Sequence, residues 1–477
     1  ENEESDWLKG SRSGYPTDLI WELNPGPTDN WSNDGNGEHW ALASFIGRVN
    51  YDFSNKYIVS LSMRSDASSR FAKGNRWSTF PSVAAAWRIS QESFMEKVSS
   101  VLDDLKLRAS WGQTGNATSL GLYPSYTLIK TGGMVFGNTY QQIATLNTIG
   151  NTDLTWEHSD MLNFGLDATL FKNRLNLTAE YYIKDTRDIL LEVPVPLEYG
   201  FGKPKMNVGH VRNKGWEVSL GWHDQINGFS YSISGNLSDN RNEVIDLGNT
   251  GPWIGSTTYT EEGLPFNSIY GYESMGLFQS DEEVASAPFQ NSNTGAGDIR
   301  YKDQNGDNKI DANDRVVIGD PYSHFLYGLN LSLNYKNFDL GMFFQGIGKK
   351  DQIITDFFVR PLNSSTVFKH NLDYWSPDNK DAKYPRILSK TDADHNYQQS
   401  DFWMINAGYF RMKNLSIGYT IPSKFVKSMG MDRVRVYFTA NNLFTISDFV
   451  PGMDPESSSS VAYPFARTYS FGLNVQF

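Results

Sequence analysis

Thr468-Tyr469-Ser470-Phe471-Gly472-Leu473-Asn474-Val475-Gln476-Phe477 decides the fold. Tyr469, Phe471, Leu473, Val475 and Phe477 share one face of an extended chain, and Thr468, Ser470, Gly472, Asn474 and Gln476 share the other. The same division sorts Tyr327, Leu329, Leu331, Leu333 and Tyr335 from Gly328, Asn330, Ser332 and Asn334. It also sorts Phe229, Tyr231, Ile233 and Leu237 from Ser230, Ser232, Ser234, Asn236 and Ser238. A period of two held over about ten residues means long antiparallel strands, apolar on one face and polar on the other.

Neighbouring segments of this kind read as hairpins. Leu162-Phe164-Leu166-Ala168-Leu170 leads through Phe171-Lys172-Asn173-Arg174 into Leu175-Leu177-Ala179-Tyr181-Ile183, and tight turns are expected at Ser54-Asn55-Lys56 and at Tyr335-Lys336-Asn337-Phe338. Between the hairpins lie long polar stretches, Thr114 to Thr152, Asp239 to Leu264, Gln279 to Asp320 and Gly348 to Asp401. Short turns alternating with long loops give the fold two unlike ends. About fourteen strands are expected, centred near residues 47, 62, 85, 107, 165, 180, 218, 233, 272, 329, 341, 416, 436 and 472, the first beginning near Ala41. A soluble sandwich or propeller shares the alternation, but its strands average about five or six residues. Strand length, aromatic content and loop asymmetry favour a transmembrane antiparallel up-and-down β-barrel with long extracellular loops.

Composition agrees. The 477 residues include 29 Phe, 25 Tyr and 13 Trp, yet only 39% are apolar and none is Cys, which excludes disulfide scaffolds and cysteine zinc sites. The longest unbroken apolar run is Val83-Ala84-Ala85-Ala86-Trp87, far short of the roughly 18 to 20 residues a membrane helix needs. A net charge of −12 argues against nucleic-acid binding. Glu1-Asn2-Glu3-Glu4-Ser5-Asp6 has neither an initiator Met nor a basic segment before an apolar one, so it does not read as a signal peptide. A processed product, or the C-terminal portion of a longer polypeptide, is the expectation.

Several blocks carry a family resemblance. Arg64-Ser65-Asp66-Ala67-Ser68-Ser69-Arg70-Phe71 is followed by Asn75-Arg76-Trp77 and by Phe80-Pro81-Ser82-Val83-Ala84-Ala85-Ala86-Trp87-Arg88-Ile89. Leu105 to Asn116, Leu154-Thr155-Trp156-Glu157, Asn213-Lys214-Gly215-Trp216-Glu217, Gly297-Asp298-Ile299-Arg300-Tyr301 and Asn441-Asn442-Leu443-Phe444 complete the set. In order and spacing these blocks resemble the SusC/RagA family of TonB-dependent outer-membrane transporters. The resemblance implies a barrel of roughly 22 strands filled by an N-terminal plug. Residues 1–477 would then be the C-terminal part of that barrel, with the plug and first strands outside this chain. It further implies the outer membrane of a Gram-negative bacterium, contact with lipid and lipopolysaccharide, a SusD-like lipoprotein lid, TonB, and a glycan or peptide substrate.

Asp303-Gln304-Asn305-Gly306-Asp307-Asn308-Lys309-Ile310-Asp311-Ala312-Asn313-Asp314 is the strongest local motif. Asp303, Asn305, Asp307, Asp311 and Asp314 fall where a twelve-residue calcium loop places side-chain oxygens, and Lys309 falls where it places a carbonyl. Gly306 stands at position 4 instead of 6, and the last ligand is the short Asp, so calcium competes with an acidic loop rich in Asx turns. The histidines show no His-x-His or His-x-x-x-His spacing, and phosphate-loop and nucleophile-elbow motifs are absent, so no enzymatic activity is expected. Arg70, Arg76, Arg88 and Arg108 should face the lumen, since arginine at the lipid midplane costs about 2–4 kcal/mol. Pairing with nearby Asp or Glu is favoured there over holding a plug or lining the path. Trp253, Tyr259, Tyr270, Tyr272, Phe357, Phe358, Tyr374 and Trp375 read as loop-packing or interfacial aromatics before sugar platforms. The outward residues Tyr469, Phe471, Leu473, Val475 and the terminal Phe477 resemble a barrel-assembly signal. The leading function is energised import of nutrient oligomers; a passive pore or structural barrel without TonB coupling, and a secreted carbohydrate-binding β protein, are the rivals.

Overall fold

The computed structural model describes residues 2–13, 31–193, 198, 200, 202–355, 359–362, 367–389, 394–457, 463 and 465–477. Fourteen strands form one antiparallel sheet: β1 Asn2–Arg12, β2 Trp31–Phe53, β3 Tyr57–Ser68, β4 Trp77–Arg88, β5 Leu102–Asn116, β6 Glu157–Leu170 and β7 Leu175–Arg187 in its first half. β8 His210–Ile226, β9 Phe229–Asp246, β10 His324–Tyr335, β11 Phe338–Lys349, β12 Tyr409–Ile421, β13 Arg433–Ile446 and β14 Thr468–Gln476 make the second. Each strand pairs with its neighbours in sequence, an up-and-down meander. Among the described residues β1 pairs only with β2 and β14 only with β13, so the sheet has two free edges.

Register accounts for the two faces. Leu333, Leu340, Ile417, Phe438 and Phe471 lie side by side across β10 to β14, and the next row is Ser332, Gly341, Ser416, Thr439 and Ser470. In the first half the apolar row Leu107, Leu166, Ala179, Val218 and Leu237 runs across β5 to β9. Its polar counterpart is Asp167, Thr178, Ser219 and Asn236. A one-residue slip would interchange these faces along a whole strand, so the apolar pattern itself locks the register. The apolar face is left uncovered: Phe471 is 83% exposed and Leu473 63%. An apolar surface of this extent is a surface for lipid.

The connections sort by rim. β2–β3, β6–β7, β8–β9 and β10–β11 are joined by tight turns, and Asn227 and Gly228 take the two positive φ values, 49° and 81°, of a type I′ hairpin turn. Short helical turns join β4 to β5 and β12 to β13 on the same rim. The opposite rim carries the long connections, residues 117–156, 188–209, 247–323, 350–408 and 447–467 among them. They hold a hairpin, Leu128–Phe136 with Thr139–Thr148, and a four-stranded sheet that includes Ser268–Tyr272 and Arg315–Gly319.

Two expectations need correction. The strand centred near residue 272 is not in the wall: Ser268–Tyr272 is too short to cross a membrane and sits in the loop sheet. The strand expected from Ala41 is longer than its wall part: β2 starts at Trp31, and Trp31–Ala41 pair with Asn2–Arg12, while Leu42–Phe53 pair with β3. Thirteen of the fourteen expected centres fall in strands β2 to β14 of the main sheet, and Asn2–Arg12 is an added strand that pairs with the stretch of β2 lying past the end of β3.

Candidate functional site

The polar face of the wall carries a charge ladder. Arg108 on β5 reaches across β6 and β7, donating to Asp167 through Nε at 3.0 Å and to Glu180, while Lys106 lies 2.9 Å from Asp167. Gly165 makes this possible, because a Cβ there would sit 2.6 Å from the Arg108 Cζ. Arg435 pairs with Asp339 through Nε at 2.9 Å, and Arg212 with Asp185 at 2.7 Å. Arg88 pairs with Asp104 at 3.3 Å. Acid pairing thus holds for Arg88 and Arg108. Arg70 and Arg76 lie instead in the β3–β4 connection at the long-loop rim: Arg70 Nη1 donates to the Gly121 carbonyl at 3.1 Å, and Arg76 Nε to the Phe71 carbonyl at 3.2 Å. At the rim each guanidinium is anchored through one nitrogen to backbone carbonyls instead of to a carboxylate.

At that rim the sequence blocks converge. Phe71, Phe80, Leu120, Leu154 and Trp156 form a buried cluster, with ring centroids 5.2 Å apart for Phe71 and Trp156 and 5.6 Å for Phe80 and Trp156. Asn75 Nδ2 donates to the carbonyls of Thr152 and Leu154, each at 3.2 Å. The Trp156 indole donates to the Arg76 carbonyl at 2.9 Å.

The longest connections build a second buried unit, with Ile299, Tyr301, Ile310, Ile354, Tyr384 and Trp403 in its core. Asp298 is fully buried at its centre. Its carboxylate accepts from Arg386 at 2.8 and 2.7 Å, His395 Nε2 at 2.9 Å, Asn396 Nδ2 at 2.7 Å and the Gly295 amide at 2.8 Å. Burial pushes this carboxyl up, but the hydrogen bonds from His395, Arg386, Asn396 and Gly295 outweigh it and hold the group at about 2. Asn396 Oδ1 accepts from the Ile299 amide at 2.8 Å, and Tyr301 Oη donates to the His395 carbonyl at 2.8 Å. These bonds tie residues 290–301 to residues 386–403 and so join two separate wall connections. The block Gly297-Asp298-Ile299-Arg300-Tyr301 was the only sequence signal for this network; its partners lie too far along the chain to read. His324 is likewise buried, with Nδ1 2.7 Å from Asp239 and Nε2 3.1 Å from Asp320.

In the Asp303–Asp314 loop the side chains serve the loop's own backbone. Asp303 accepts from the amides of Gly306 at 2.7 Å and Asn308 at 2.8 Å, Asn305 from Asp307 at 2.9 Å, and Asp307 from Lys309 at 2.9 Å. The buried Asp314 closes the loop on the amides of Gln304 at 2.9 Å and Asp311 at 2.8 Å. The Lys309 ammonium lies 2.9 Å from Asp311. Among the described residues no three His, Asp or Glu side chains converge as metal ligands would.

Of the loop aromatics, Tyr270, Tyr384 and Trp375 are buried, and Tyr259 stacks on Tyr270 at 5.1 Å. They act in loop packing. Phe357 and Phe358 lie outside the described residues. Tyr469, Phe471, Leu473 and Val475 lie on the apolar face of β14, and Phe477 just beyond it is 84% exposed.

Comparison with known proteins places this architecture. The sequence profile of the family described as "TonB dependent receptor-like, beta-barrel" matches residues 2–343. TonB-dependent receptor P3 of Formosa agariphila is 34% identical over 91% of this chain and 45% of its own length. TonB-dependent receptor SusC of Bacteroides thetaiotaomicron is 31% identical over 91% of this chain and 44% of its own. A chain of the RagAB peptide importer superposes on 100% of this chain with a TM-score of 0.83 at 28% identity, covering 52% of that chain. This chain therefore spans about half the length of the relatives it matches. The uncovered apolar face, the polar inner face and the paired rims are those of an outer-membrane β-barrel wall, and the chain belongs to the TonB-dependent receptor β-barrel family.

Proposed function

We propose that this chain forms wall of a TonB-dependent importer of nutrient oligomers, glycan or peptide fragments, working with a SusD-like lipoprotein lid and with TonB. The similarity over the whole chain to a chain of the RagAB peptide importer carries the reading. Among the described residues Leu42–Phe53 of β2 pair only with β3, and β14 pairs only with β13; these open edges support closure by further strands into a barrel of roughly 22, because an unpaired edge in lipid leaves backbone groups without partners. A lumen of that width needs a plug to select solutes instead of leaking them. We read the chain as non-enzymatic, its buried carboxylates being engaged in structural pairs.

The test compares uptake of candidate oligomers by cells expressing the full coding region, with and without TonB. TonB-dependent uptake supports the importer; uptake indifferent to TonB supports the passive pore in its place.

Calcium at the Asp303–Asp314 loop is a separate proposal, supported by the spacing of Asp303, Asn305, Asp307, Asp311 and Asp314. An ion would have to draw these oxygens away from backbone amides and displace the Lys309 ammonium from Asp311. Calorimetric titration of chelator-treated protein decides it: equal heats in wild type, Asp303→Ala and Asp307→Ala rule against the site.

A further inference from the structure

Blocks far apart in the sequence meet around one recess of about 650 Å³ on the inner side of β2 to β5. It exists because its floor is made of small or flattened groups. Ser62 faces Ser82, their hydroxyls 2.6 Å apart, and Ser82 faces Gly112. Gly115 lets the Phe80 ring lie against the strand, where a Cβ would stand 2.0 Å from the ring.

The charge in the recess is positive, on a chain whose net charge is −12. Of its lining residues, Arg64, Asp66 and Arg70 are charged. Asp66 is buried and spent, its two oxygens accepting from Arg64 Nε at 2.8 and 2.7 Å. Arg64 Nη1 and Arg70 Nε and Nη2 have no hydrogen-bond acceptor among the described residues. Arg70 is held in place by the Gly121 carbonyl at 3.1 Å and by the Trp40 ring, 5.4 Å from its guanidinium. Asn116 has its Oδ1 occupied by the Thr118 amide and hydroxyl, which leaves its Nδ2 to donate. Beside these donors stands Ile46, 70% exposed. Fixed guanidinium donors with spare N–H groups recognise a carboxylate, and an apolar neighbour suits the body that bears it.

We propose that this recess binds a carboxylate of an oligomer moving along the lumen, with Arg70 and Arg64 as donors. The inference rests on the importer reading, which puts the oligomer there. A uronate-containing oligosaccharide and a peptide with a free C-terminus both supply the group.

The test uses the full-length protein in detergent, titrated calorimetrically with trigalacturonate, a hexapeptide, the same peptide amidated at its C-terminus, and maltotriose. Binding of trigalacturonate or the free-acid peptide, weakened about tenfold or more by Arg70→Gln and severalfold by Arg64→Lys, is expected, with the amidated peptide and maltotriose much weaker. Binding of one carboxylate ligand and not the other assigns the source and supports the proposal. Ile46→Cys places a thiol in a segment that has none, and bound ligand should protect it from a water-soluble thiol reagent. Arg70→Gln binding like wild type, absence of protection, or an Ile46→Cys thiol already unreactive without ligand each overturns the proposal. Uptake in the same strains separates the two readings: TonB-dependent uptake untouched by Arg70→Gln removes this inference alone, and TonB-independent uptake removes the importer.

Discussion

Asp298→Ala removes the acceptor on which Arg386, His395, Asn396 and the Gly295 amide converge. Taking one partner from a buried ion pair costs about 3–5 kcal/mol, and Arg386 can rehydrate at its partly exposed edge, so the lower end, about 3 kcal/mol, applies. Since each 1.36 kcal/mol is tenfold, amides opened by local unfolding of this unit should exchange faster by on the order of a hundredfold. Hydrogen exchange read by mass spectrometry on peptides covering residues 290–301 and 394–407 gives the measurement, with β10 and β14 as internal references. Acid offers a second perturbation of the same group. The carboxyl, held at about 2 against an ordinary 3.8, contributes its stability fully above about pH 4 and loses it as pH falls through 2. The difference amounts to about 2 kcal/mol in wild type and vanishes in Asp298→Ala. Unchanged exchange in the two loop segments, or equal acceleration in β10 and β14, would refute the view that Asp298 clamps the loops independently of the wall.

Leu331→Arg should destabilise by about 2–4 kcal/mol in lipid, whereas Ser332→Arg, one residue on and facing the lumen, should be nearly neutral; denaturant unfolding in bilayers reads both. Arg108→Leu leaves Glu180 without its cation while Lys106 still serves Asp167, so a loss of about 1–2 kcal/mol is expected in the same assay, partly restored by a further Glu180→Gln. Deleting Phe477 tests the proposed assembly role of Tyr469, Phe471, Leu473, Val475 and Phe477: the yield of heat-modifiable, folded protein in outer membranes should fall, and an unchanged yield decides against the role.

Most of the wall was legible because lipid on one side and water on the other force a strict alternation that survives in single strands such as Thr468–Gln476. Where that force is absent the reading failed. Asn2–Arg12 and the first eleven residues of β2 pair with one another, yet Trp7 and Leu8 are adjacent and Gly35, Asn36 and Gly37 read as loop. Ser268–Tyr272 showed the opposite error, since Tyr270 and Tyr272 alternate without crossing a membrane. The loop networks were hidden for a different reason. Asp298 meets its side-chain partners Arg386, His395 and Asn396 88 to 98 residues away, and no local spacing records such a contact. Arg108 could be placed facing the lumen from the cost of the alternative, but its partners Asp167 and Glu180 come from register across two more strands.

One face of this sheet meets lipid and the other an aqueous lumen. Single cysteines at residues 329 to 334, in a segment without native Cys, test it in outer membranes with a water-soluble thiol reagent and with a lipid-borne quencher of an attached fluorophore. Strict alternation is expected: positions 329, 331 and 333 quenched from lipid and slow to label, positions 330, 332 and 334 labelled from water and unquenched. Uniform labelling, or alternation of the opposite phase, would contradict it.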